Sequence, residues 1–121
     1  MSSSKLLDDF LKRREDQNKI VLANADTVMK RIYSVDALAY SDGALTEKIK
    51  ELIGLTASLV LRCDDCIAWH VYRCAELKIS TQELIEAMGI GMVVGGTITV
   101  PHVRKALTLW DSIEKEGSSD N

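Results

Sequence analysis

The chain has 121 residues, of which 46% are hydrophobic and 27% charged, with a single proline. That length suits one domain over 1–121 and excludes a two-lobed enzyme, and the apolar share is too high for a disordered chain. Fifteen Lys and Arg against eighteen Asp and Glu leave −3, with only 5% aromatic residues, so neither the basic footprint of a nucleic-acid or anionic-membrane partner nor a base-stacking platform is expected.

The opening residues, Met1 to Phe10, lack a basic region followed by a long apolar block and do not read as a secretory signal. Leu6, Leu7, Phe10 and Leu11 open a first amphipathic helix, and Val28, Ile32 and Val35 mark a second from about Asp26 to Leu38. Ser41-Asp42-Gly43 breaks the chain. Thr46 then caps a third helix, with Leu45, Ile49, Leu52, Ile53 and Thr56 predicted to face inward and Glu47 in the first turn. A fourth helix starts near Asp64-Asp65 and runs through Ile67, Val71 and Leu77.

Ser80 and Glu83 spell a capping box for a fifth helix from Leu84 to about Val94, whose glycines are expected to allow close packing. Val94 to Val100 is β-branched and ambiguous. Pro101 falls in the first turn of a last helix carrying Val103, Leu107, Leu109 and Trp110, and the residues from Gly117 read as a fraying tail. The uncharged run Ala87–His102 is shorter than the ~20 apolar residues a membrane span needs, and it is broken by glycines. The expectation is an all-α, compact bundle of about six helices. Its first two helices and its last carry more apolar surface than so small an interior covers, which predicts an oligomer.

Three cysteines, an odd number without an export signal, argue against a structural disulfide framework and for thiols kept in a reducing cytoplasm. Two of them open Cys63-Asp-Asp-Cys66-Ile-Ala-Trp-His70-Val-Tyr-Arg-Cys74. At ~100° per residue Cys66, His70 and Cys74 lie within about 60° of Cys63 around one helix, a narrow stripe. Cysteines three apart at a helix start can join in a disulfide, and the free amides there favour a thiolate. His70, one turn beyond Cys66, is placed to take or return the thiol proton.

Zinc fits this pattern poorly, since four ligands strung from Cys63 to Cys74 would span ~16 Å. A c-type haem needs histidine directly after the second cysteine, where Ile67 stands. A purely structural cysteine pair is the plain alternative to a redox dithiol. Cys74 reads as a small buried apolar residue, Trp69 and Trp110 as packing residues, and His102 has no partner motif. By periodicity alone Glu51 falls at the boundary or outer side of the third helix, as a solvated carboxylate.

Glu51, twelve residues before Cys63, followed by Cys63-x-x-Cys66-x-x-x-His70, resembles the signature of the alkylhydroperoxidase D-like / carboxymuconolactone decarboxylase family. The continuation Ala75 to Glu86 is similar too, and the likeness covers roughly Ala44 to Leu109. The resemblance implies an all-helical homotrimer or homohexamer. It implies that Cys66 is oxidised to a sulfenic acid, that Cys63 donates a proton and closes the disulfide, and that His70 and Glu51 relay protons. No metal, flavin or haem cofactor is implied, so electrons would come from a separate thiol donor to a hydroperoxide or other small-molecule substrate.

One departure stands out. Some hydroperoxidases of this type carry histidine between the cysteines, where this chain has Asp64-Asp65, and two carboxylates beside a thiol are expected to raise its pKa. Decarboxylase members act on a lactone without a cysteine pair, so an enzyme on a small lactone acid is the alternative, with a redox-sensing or structural subunit as a third class. Retention of both cysteines favours thiol chemistry.

Overall fold

Ser4 accepts the Leu7 amide at 3.1 Å and so opens α1, Lys5–Asn24, in a computed structural model that describes residues 4–119, with the backbone alone for 117–119. Asp26 caps α2, Thr27–Ala39, through the Met29 amide at 2.9 Å. Thr46 caps α3, Glu47–Leu61, through that of Ile49. α4 spans Asp64–Glu76. Ser80 and Glu83 form a complete capping box at the head of α5, Thr81–Gly95, and a 3₁₀ turn over Thr97–Thr99 leads into α6, Val100–Ser119, with Pro101 in its first turn. The described residues thus form six α-helices without a strand, an all-α bundle as predicted.

α3 is the central element, packed against both α4 and α5; α4 also packs on α6, and α1 lies along α6. Leu55, Leu59, Val71 and Leu84 are fully closed to water at the centre. Gly91 explains the close approach of α5, since a Cβ there would meet Leu59 Cδ2 at 2.9 Å. Gly89 does not share that role, because a Cβ there would meet nothing within 4 Å. The ambiguous Val94–Val100 stretch is a helix end, closed by Gly96 at φ 83° and the 3₁₀ turn. α6 runs to Ser119; residues 1–3 and 120–121, the latter the end of the expected tail from Gly117, lie outside the described ones.

The inward face of α3 is not the predicted one. Leu45, Ile49 and Ile53 are exposed, whereas Glu51, Gly54, Leu55, Ser58 and Leu59 are buried. α3 carries two apolar stripes, and periodicity cannot say which of them meets the chain's own core. α2 buries none of its residues, so Val28, Ile32, Val35 and Leu38 all face outward. Among the described residues no helix is long and apolar enough to cross a membrane.

Candidate functional site

The site grows out of a two-residue turn. α3 ends in a Schellman motif, with the Arg62 amide donating to Leu59 O and the Cys63 amide to Ser58 O, while Arg62 sits in the left-handed region at φ 58°. α4 ends the same way around Lys78 at φ 62°, with the Ile79 amide on Cys74 O. Both positions usually carry glycine, so the sequence gives no glycine signal for either stop. The first turn folds α4 back along α3 and leaves Cys63 as the N-cap of α4.

Cys63 and Cys66 are disulfide-bonded, with their Cα atoms 5.3 Å apart, inside the range a disulfide tolerates. The Cys66 amide also donates to Cys63 Sγ at 3.3 Å. Cys63 Sγ thus occupies the position an N-cap oxygen usually takes, where free amides favour negative charge. Cys63 is half-buried and Cys66 exposed.

Beneath this pair lies a buried polar chain. His70 Nδ1 stands 2.7 Å from Glu51 Oε1, and both residues are buried. With the carboxylate accepting, Nδ1 carries the hydrogen, and Nε2 accepts from the Tyr40 hydroxyl at 3.4 Å. Burial first, and the Glu51 charge second, raise the Tyr40 pKa and keep it a phenol donor. The other Glu51 oxygen faces Arg73 Nε at 3.7 Å, and Arg73 also pairs with Glu47 at 2.9 Å and with Glu76. Gly54 makes room for this arrangement, since a Cβ there would stand 2.5 Å from Tyr40 Oη and 2.7 Å from His70 Cε1.

Glu51 is therefore not the solvated residue that periodicity suggests. The dominant reason is compensation: a buried carboxylate is tolerable when an imidazole and a guanidinium face its two oxygens. In the disulfide state the imidazole hydrogen-bonds Glu51 and Tyr40 and neither sulfur, as expected when no sulfur carries a proton. Tyr40 and Arg73 were not singled out from sequence. Tyr40 lies eleven positions before Glu51 at the end of another helix, and only the helical spacing of Arg73 from His70 hints at a shared face.

The expected repulsion from Asp64-Asp65 is offset. Asp64 binds His102 Nδ1 at 2.7 Å and Lys105 Nζ at 2.8 Å, and Asp65 lies 3.7 Å from Arg13. Lys105 first and His102 second hold the Asp64 carboxyl below the usual carboxylate range. α6 and α1 thus supply the cations that a linear reading of the motif cannot see, and His102 gains the partner it lacked. Cys74 is fully buried, and burial chiefly, with the Glu51 charge behind it, pushes its thiol up to about 12. Trp110 is buried and donates to Thr81 Oγ1 at 2.9 Å, whereas Trp69 lies under the Arg14 guanidinium, 3.6 Å from the ring centroid. Among the described residues no group of three or more His, Cys, Asp or Glu is placed to hold a metal ion.

Residues 26–109 match the family model described as the carboxymuconolactone decarboxylase family. The crystal structure of TM1620 from Thermotoga maritima superposes with a TM-score of 0.89 at 40% identity, covering 92% of this chain and 97% of that one. A second structure of that protein describes it as a carboxymuconolactone decarboxylase family protein with a suggested involvement in antioxidative response, at 38% identity and a TM-score of 0.88, covering 93% and 95%. The apo structure of the family protein lpg0406 from Legionella pneumophila aligns with a TM-score of 0.82 at 25% identity, over 91% of this chain and 98% of that one. An uncharacterized protein of Cupriavidus necator is 28% identical over 85 residues, 70% of this chain and 75% of its own length.

Proposed function

The chain belongs to the carboxymuconolactone decarboxylase family, and from that premise we propose that it is a thiol-dependent peroxidase that cycles the Cys63–Cys66 dithiol. The observation that carries this reading is the disulfide at the head of α4, with Cys66 an exposed residue and the Glu51–His70 pair one turn behind it. The antioxidative role suggested for the Thermotoga relative points the same way.

In the oxidative half, His70 takes the Cys66 proton and the thiolate attacks the outer oxygen of a hydroperoxide. An S–O bond forms and the O–O bond breaks. The peroxide leaves as an alcohol with the proton His70 returns, and Cys66 is left as a sulfenic acid. Cys63 sulfur then attacks Cys66 sulfur, an S–S bond forms, and water departs with the hydroxyl and the Cys63 proton. Glu51 holds the His70 tautomer throughout.

In the reductive half, a dithiol donor attacks the sulfur of Cys66, the exposed residue of the pair. Cys63 leaves as a thiolate into its N-cap position, where the Cys66 amide already donates to it. The donor's second thiol then attacks the donor sulfur of the mixed disulfide and displaces Cys66 as a thiolate; the donor leaves as its own disulfide, having given two electrons to the Cys63–Cys66 pair. This cycle needs no metal or organic cofactor and suits a reducing cytoplasm. The outward apolar residues of α2 and of α3 support a homotrimer or homohexamer as the working form.

The test is thiol titration of the reduced protein after adding an organic hydroperoxide. Wild type is expected to lose two thiols per chain. Cys63→Ser should stop at a sulfenic acid that dimedone traps, and Cys66→Ser should lose none. Unchanged thiol loss in Cys66→Ser overturns the assignment. The second reading is a proton-transfer enzyme on a small lactone acid, supported by the Glu51–His70–Tyr40 chain, whose groups can pass protons without either sulfur. A Cys63→Ser/Cys66→Ser double variant that kept lactone turnover would establish it.

A further inference from the structure

Cys66 is exposed, and it stands at the wall of a cavity of about 370 Å³ between α1, α2 and the head of α4, whose walls include Phe10, Arg13, Arg14, Tyr33 and Asp65. The Tyr33 hydroxyl donates to Asn18 Oδ1 at 3.0 Å, which ties α2 to α1 at this cavity. A space of this size lies at the small end of pockets that hold organic ligands.

The walls are not neutral. Arg13, Arg14 and Asp65 are the charged residues that line it, two cationic against one anionic, and Arg14 also lines the adjoining cavity that holds Trp69. Arg13 faces Asp65 at 3.7 Å and lies over the Phe10 ring. Arg14 has no carboxylate partner among the described residues; its guanidinium is stacked on Trp69, 3.6 Å from the ring centroid. Stacking fixes the plane of a guanidinium and leaves its edge N–H groups free, the arrangement that grips a carboxylate through two parallel hydrogen bonds. A single uncommitted positive charge matches a monoanion. A dianionic phosphate would exceed it and would also meet Asp65.

We propose that this cavity is a substrate site for a compact organic hydroperoxide bearing one carboxylate, with Arg14 binding the carboxylate and the peroxide end lying at Cys66. The proposal deepens the peroxidase reading and rests on it for turnover, though not for binding. Such a site would let an exposed dithiol discriminate among peroxides: hydrogen peroxide and simple alkyl peroxides have no group for Arg14 to hold, so they gain nothing from it.

The test uses a matched pair, cumene hydroperoxide carrying a para carboxylate and its methyl ester, with dithiothreitol as reductant. Wild type is expected to turn over the acid with a kcat/KM roughly tenfold above the ester, the scale of one charge-assisted hydrogen-bonded pair. Arg14→Gln should bring acid and ester to the same value, and Arg14→Lys should restore part of the preference. Equal values for acid and ester in wild type overturn the proposal, as does a preference that survives in Arg14→Gln.

Occupancy is read separately, as protection of reduced Cys66 from iodoacetamide by 4-isopropylbenzoate but not by its methyl ester. Protection without peroxide turnover upholds the site and removes the peroxidase reading. Turnover with neither acid preference nor protection removes the site and keeps the peroxidase.

Discussion

Glu51 Oε1 and His70 Nδ1 stand 2.7 Å apart across the contact of α3 with α4, with only 3% and 10% of their side chains exposed. The Schellman turn at Arg62 makes that meeting possible by reversing the chain between them. A carboxylate in so dry a place is costly unless its charge is matched, and here His70 lies on one oxygen and Arg73 on the other. The pair is a polar contact inside an apolar core, placed one helical turn behind the dithiol.

Glu51→Gln keeps the shape and removes the charge that fixes the imidazole. Peroxide turnover is expected to fall about 100-fold, the scale of a disabled acid–base group, while the disulfide still forms under strong oxidant. Tyr40→Phe removes a longer contact, 3.4 Å against 2.7 Å, and should cost less than about tenfold. Steady-state kcat/KM with an organic hydroperoxide checks both, and a larger loss in Tyr40→Phe than in Glu51→Gln contradicts this ordering.

Two glycine substitutions should shift stability in opposite directions. A Cβ at Gly54 would press on Tyr40 Oη and His70 Cε1. Both belong to a packed hydrogen-bonded chain, so Gly54→Ala should cost about 1–3 kcal/mol as an overpacking change despite its better helix propensity. At Gly89 a Cβ meets nothing within 4 Å. There Gly89→Ala should gain up to about 1 kcal/mol from propensity alone. Urea unfolding of both variants decides, and equal signs would refute the packing argument.

Much of the fold was legible because local chemistry marked it. Thr46, Ser80 with Glu83, and Pro101 each sit where the sequence places a helix start. The stripe of Cys63, Cys66, His70 and Cys74 was equally readable, because one helix fixes the spacing of its own residues. What was not legible depends on neighbours. Ile49 and Ile53 pattern as core yet face outward, while Glu51 patterns as surface yet is buried. A residue's polarity does not reveal that Arg73 and His70 will meet it from another helix. The charge balance around the dithiol was hidden for the same reason, because Arg13, His102 and Lys105 come from helices far away in sequence.

Asp64 links the head of α4 to α6, and its contribution depends on pH with a defined sign. Its carboxyl is held below the ordinary value, by Lys105 first and His102 second. A lowered folded pKa stabilises the native state above the unfolded value of about 4, and that stabilisation disappears as pH falls through the folded pKa. The side chain is 42% exposed, so solvent screening limits the effect to under about 1 kcal/mol. Wild type should therefore exceed Asp64→Asn in urea stability at pH 7, and the gap should close below about pH 4. A gap that widens in acid would show that the sign is wrong.

The three thiols of the reduced chain should not behave alike. Cys66 is exposed and Cys63 half-buried, whereas Cys74 is closed to water with its thiol pushed up to about 12. The thiolate is the nucleophile, so at neutral pH Cys74 is both inaccessible and almost wholly protonated. Iodoacetamide on the folded, reduced protein is expected to label two thiols per chain at pH 7.5, with the third reacting only after denaturation. Counting adducts by intact mass checks this. Labelling of Cys74 at the rate of the other two would mean that the α3–α4 core opens readily, and that the buried Glu51–His70 pair is open to water as well.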